Sequence, residues 1–139
     1  MKTFTFISSL TIISALVFLG TTFYWLTKEY DPIDVKNEPV PVLGSNISPG
    51  DYVILEVDYC KSVRVRRVYN IFLVGSTTKT QLNDIDGISG EGCHHVFAPF
   101  PIPKILTPGT YYFEFIGNYD VNPFRRIQDG FISQQFTVI

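Results

Sequence analysis

Cys60 and Cys93 are the two cysteines of the sequence, and Cys93 opens the triplet Cys93-His94-His95. Thiol and imidazole groups that close together suggest a disulfide, a metal site, or a nucleophile with its base. An extended backbone sends adjacent side chains to opposite sides, so Cys93 and His94 cannot share one ion without a tight turn. A copper site of the cupredoxin kind would add a Met ligand, and the sole Met is Met1. No metal and no cofactor is expected. An even cysteine count in an oxidising compartment favours a Cys60–Cys93 disulfide. The thiol alternative is a membrane-anchored enzyme of sortase-like type, drawing on Cys60 or Cys93, His94 or His95, and Arg125 or Arg126. The Thr-Leu-x-Thr-Cys segment of that family is absent.

The second feature-rich stretch is Asp120-Val-Asn-Pro-Phe-Arg-Arg126. Asn122-Pro123 favours a turn, and Arg125 and Arg126 offer forked donors for a carboxylate or phosphate. Asn122, Arg125 and Arg126 are therefore the candidate partner contact. The competing reading pairs one of these arginines with Asp120 or Glu114 inside the fold. Lys61, Arg64, Arg66 and Arg67 form another basic cluster, but strand alternation splits it between two faces. With a net charge of −2 over 139 residues, no polybasic footprint for nucleic acid is present.

What positions these residues begins at the N-terminus. Phe4–Leu26 carries no charge, and about 23 residues of helix span ~34 Å against a hydrocarbon core of about 30 Å. Its far end, Phe23-Tyr24-Trp25-Leu26, is bulky where a signal peptidase needs small residues. Retention as an anchor across the lipid bilayer is therefore expected. Lys2 precedes the run while Lys28, Glu29 and Asp31 follow it. This places residues 1–3 in the cytoplasm and the rest outside the inner membrane. Ser8, Ser9, Thr11 and Ser14 read as bonding their own backbone rather than marking a helix–helix contact.

Residues 27–45 contain Pro32, Pro39 and Pro41 among charges, which predicts an extended stalk, with Val40–Leu43 as a possible first edge strand. Residues 46–139 are rich in Val, Ile, Thr, Tyr and Phe, a strand composition. Tyr52–Cys60 alternates, with Val53, Leu55, Val57 and Tyr59 on one face and Ile54, Glu56, Asp58 and Cys60 on the other. The disulfide should therefore lie on the outside of a sheet. Val63–Val74 changes phase at Arg66-Arg67, as at a bulge. Gly75–Gly92 reads as one long connection. Val96–Leu106 carries Pro99, Pro101 and Pro103, whose missing donors all fall on one edge, as in an outermost strand. Thr110–Tyr119 and Phe131–Ile139 complete the set, the latter placing Ile132, Phe136 and Val138 together. Roughly six or seven short strands joined by Pro-Gly turns predict an all-β antiparallel sandwich behind one transmembrane helix.

Leu106-Thr-Pro-Gly-Thr-Tyr111-Tyr-Phe113 resembles the turn and late strand of bacterial and phage immunoglobulin-like domains. The resemblance implies an immunoglobulin-like sandwich in which the Tyr111 hydroxyl bonds backbone a few residues upstream. Most of the chain also resembles short single-span membrane proteins of tailed phages and prophages. The matching segments are the anchor, Asp58-Tyr59-Cys60, Cys93, Tyr119-Asp-Val-Asn-Pro-Phe-Arg125 and Phe136-Thr-Val138. That likeness implies a phage or prophage origin. With no catalytic motif, the expected role is a non-catalytic interaction module binding an envelope or phage protein. Superinfection interference, lysis and a virion-associated role all fit it.

Overall fold

The computed structural model describes residues 2–27, 33–44, 46–62, 67–87, 90–122 and 125–139. They form two compact units, one of Met1–Tyr30 with Asp120–Arg126, the other of Asp31–Tyr119 with Ile127–Ile139.

The first unit is built on α1 (Lys2–Thr27). It is long and apolar enough to cross a membrane, and no part of Leu10–Thr27 is buried. The hydroxyls of Ser14, Thr21, Thr22 and Thr27 each donate to the carbonyl four residues back. An apolar helix can carry these polar side chains because their donors are met by its own backbone.

The second unit holds two sheets. In the first, β4 (Tyr52–Lys61) pairs antiparallel with β8 (Gly92–Pro101) over its whole length, from Tyr52 opposite Pro101 to Lys61 opposite Gly92. The other edge of β4 is shared by β1 (Ile33–Val35) and β2 (Val42–Leu43). In the second sheet β3 (Asn46–Ile47), β11 (Phe136–Val138), β9 (Gly109–Asn122), β5 (Arg67–Val74) and β6 (Lys79–Gln81) follow in that order. β10 (Arg125–Ile132) adds to β9, and β7 (Ile85–Gly87) to β5. The β3–β11 pair is parallel.

Alternation decides which side chains go inward. Val53, Leu55 and Val57 from β4 and Tyr111, Phe113 and Phe115 from β9 are buried in one core, as the period of two requires. Phe100 of β8 brings its ring 5.4 Å from Phe113 and 5.3 Å from Phe115, joining the inward faces of both sheets. Burying each such side chain contributes about 1.5–3 kcal/mol. The Tyr111 hydroxyl donates to the Thr107 carbonyl at 2.8 Å, the bond that the resemblance implied. Gly75 leaves room for that ring, because a Cβ there would meet Tyr111 Cε1 at 2.6 Å.

Four sequence expectations need correction. From Ile33 the stretch read as a stalk is part of the second unit: β1 and β2 pair with β4, and Val40 is fully buried. Its prolines are accommodated because these are edge segments that pair on one side. The long connection after Gly75 contains β6 and β7, short strands that pair with β5. The last strand is two, β10 and β11, with Ser133 between them. The phase changes there, so Ile132 is exposed while Phe136 and Val138 are buried. The strand expected over Val96–Leu106 is β8, which runs from Gly92 to Pro101. The expected bulge at Arg66-Arg67 falls mostly outside the described residues, as does the Pro123 part of the turn.

Where β10 gives way to β11, the ladder to β9 is closed by a side chain. Ser133 N donates to the Phe113 carbonyl, and Phe113 N donates to Ser133 Oγ, both at 2.9 Å. Ser133→Ala leaves the Phe113 N–H buried and unpaired, so it should destabilise the domain by about 1–3 kcal/mol in denaturant titration of the full chain. An unchanged midpoint would show that the hydroxyl is dispensable.

Candidate functional site

The outward face of β4 and β8 collects most of the chemistry that the sequence singled out. Its cross-strand pairs run Cys60–Cys93, Asp58–His95, Glu56–Phe97, Ile54–Pro99 and Tyr52–Pro101. The face therefore grades from a disulfide, through ionisable groups, to an apolar end.

Cys60 and Cys93 sit directly opposite each other and are joined by a disulfide. It lies outside the sheet, where the alternation of Tyr52–Cys60 places it. Next along the face, His95 Nδ1 is 2.5 Å from Asp58 Oδ1, and Nε2 is 3.7 Å from Glu56 Oε1. The Asp58 carboxylate, accepting that hydrogen bond, holds the imidazole above its ordinary 6.5. Desolvation works the other way, and the charges of Asp58 and Glu56 add to the rise. His94 turns to the opposite side and lies against the Tyr59 ring at 5.3 Å. The two histidines thus do not converge, and both thiols are consumed in the bridge.

The far end of the face is apolar. Tyr52 is 66% exposed and Phe97 57% exposed, with Ile54 of β4 and Leu43 of β2 beside them and Pro99 and Pro101 on β8. Leu43 stands opposite Ile54 in the register. Tyr52–Cys60 alone shows Glu56, Asp58 and Cys60 on this face, which gives it a polar look. The missed signal was Phe97, which shares the odd-numbered phase of Pro99 and Pro101.

Asn122, Arg125 and Arg126 belong to the other unit, so the two groups of sequence-chosen residues are not one site. Arg126 Nε donates to Asp120 Oδ1 at 2.8 Å, with Nη2 at 3.4 Å from Oδ2. That fork lowers the Asp120 pKa and keeps Arg126 charged. Arg125 Nη1 donates to the Leu26 carbonyl at 3.0 Å, in the last turn of α1. A cation there meets the negative end of the helix dipole and one of its unsatisfied carbonyls. Asn122 ends β9, and its side chain lies outside the described residues. Both guanidinium groups thus have partners within their own unit. Glu114, the other acid considered for them, pairs with Lys79.

Two measurements follow from this geometry. The bridge spans a sequence separation of 33, and replacing both cysteines by Ala should cost roughly 3–4 kcal/mol through regained loop entropy in the unfolded chain. Denaturation of the full chain with and without the pair reads this directly, and equal stability would remove the bridge as a structural element. His95 should titrate with an NMR midpoint above 6.5, falling toward it in Asp58→Asn. Because the folded pKa is raised, the pair's contribution is complete below 6.5 and is lost as pH rises through the higher midpoint. A midpoint indifferent to Asp58→Asn would break the assignment.

No protein-family model matches the chain, and neither does any of the curated proteins.

Proposed function

We propose that this protein is a membrane-anchored, non-catalytic interaction module, of phage or prophage origin, whose immunoglobulin-like domain binds a protein of the cell envelope. The reading puts α1 across the inner membrane with the N-terminus in the cytoplasm and the domain on the other side. Support for direction comes from Lys2 before the span and the acidic balance after it. The disulfide suits an oxidising space. The Tyr111–Thr107 bond and the two sheets sharing a core support the immunoglobulin-like fold. The origin rests on the segment likeness alone.

One observation carries the interaction role: Leu43, Tyr52, Ile54 and Phe97 stand exposed together on one sheet face. Aromatic and aliphatic side chains gathered on a surface are the usual core of a protein–protein contact, with the charged pairs beside them as its rim. A sortase-like enzyme would need a free thiolate, and here both cysteines are bridged. Superinfection interference, lysis and a virion-associated role are all compatible with a module of this kind.

A photocrosslinking residue placed at Tyr52 or Phe97 of the full chain in host membranes should trap one discrete protein. The same residue at exposed Thr137 should not. Phe97→Ser should reduce the Tyr52 adduct roughly tenfold, the effect of losing a central aromatic anchor. Equal adducts from all three positions, or none from Tyr52 and Phe97, would refute the role.

A further inference from the structure

Inside the second unit a cavity of about 300 Å³ lies between the inward faces of the two sheets. Val57 and Tyr59 of β4, Ala98 of β8, Ile71 of β5 and Phe115 of β9 form its walls, and Ile33 and Val35 of β1 form one side. Among the described residues none of the lining carries a charge, and its polar side-chain atoms are the hydroxyls of Tyr59 and Tyr69. Ile85 and Val96, which also line it, are exposed, so the cavity opens to solvent beside them. The rings of Phe100, Phe113 and Phe136 fill the neighbouring part of the core, and Phe100 also stands in the cavity wall.

We infer that this cavity holds a stretch of a phospholipid acyl chain drawn from the bilayer. Walls without charge select against ions and polar ligands, whose desolvation they could not offset. Water gains little there for the same want of partners. The volume sits at the small end of ligand pockets, suited to part of one chain rather than a whole lipid. The bilayer is the source because β1 follows the span so closely. Thr27 and Ile33 are six residue steps apart, at most about 22 Å of extended chain. A domain so tethered meets acyl chains at high effective concentration. The inference rests on the anchoring reading, and the test separates the two.

The full chain is placed in nanodiscs containing a phosphatidylcholine with a diazirine near the end of one acyl chain. After irradiation, adducts are mapped by peptide mass spectrometry. Adducts are expected on α1 and also on the β4, β5 and β8 segments lining the cavity. Ala98→Phe, which fills the cavity, should reduce the domain adducts roughly tenfold and leave those on α1 unchanged. Val35→Trp, at the β1 side, serves the same purpose should Ala98→Phe fail to fold. Adducts on α1 alone would overturn the acyl-chain site and leave the anchor standing, as occupation by a partner's side chain or another segment of this chain would predict. No adduct on α1 would overturn both. Domain adducts indifferent to both filling variants would put the lipid on the surface and overturn the site.

Discussion

The domain depends on satisfying backbone polar groups where the chain passes from one sheet to the other. Residues 33–47 touch both sheets in turn: β1 on β4, Val40 on the second sheet, β2 on β4 again, then β3 on β11. Each passage would strand N–H and C=O groups in a dry interior, at a cost that no short strand recovers. Val40 avoids this by donating to the Ile132 carbonyl at 2.9 Å and accepting from Gln134 N at 2.8 Å. Between β1 and β2, Asn37 stands in for the missing backbone. Its Nδ2 donates to the Glu56 carbonyl at 2.8 Å, and its Oδ1 accepts from Asp58 N at 3.1 Å. Ser133 does the same on β9. A side-chain amide and a hydroxyl thus keep two ladders continuous across gaps.

This explains what could be read from the residues alone and what could not. The inward faces of β4 and β9 were legible because each buries one face, so apolar residues recur every second position. The outward place of the disulfide followed from that same phase, whereas the Tyr111 bond was implied by the resemblance of Leu106–Phe113 to immunoglobulin-like domains. β6 and β7 were not legible, since Lys79–Gln81 is wholly exposed and exists only as a partner for β5. Edge strands of this kind are defined by their neighbour and leave no period of their own. The phase change at Ser133 was hidden for a related reason. A serine that patches a ladder looks like any polar residue of an alternating strand until its partner, the Phe113 N–H, is known.

The candidate site was half legible. Cys60 and Cys93 could be paired from chemistry, and the position of Cys60 on its strand fixed the face. The aromatic end could not be found from either strand singly, because Tyr52 and Phe97 lie far apart in sequence and are brought to one face only by the β4–β8 register. The arginines could be read two ways for an electrostatic reason. A fork that suits an external carboxylate suits an internal one equally, and Asp120 is six residues from Arg126, across the hairpin that β9 and β10 form.

The edge of β8 bears on how a partner meets this face. Ile102 exchanges hydrogen bonds with residues just before β4, accepting from Gly50 N and donating to the Asp51 carbonyl. Even-numbered positions of β8 therefore point their backbone toward β4 and odd-numbered ones away from it. Pro99 and Pro101 are odd, so the outer edge lacks donors along the very stretch where the outward face is apolar. A partner strand cannot extend the sheet there. The odd N–H groups at Cys93 and His95 lie in the charged half, and that of Phe97 lies where the two halves join. Strand addition along the apolar half is thus closed by covalent structure, and contact there must be made through side chains. Prolines at this edge protect an exposed apolar face from uncontrolled sheet growth while leaving Tyr52, Ile54 and Phe97 open to a partner whose shape matches them.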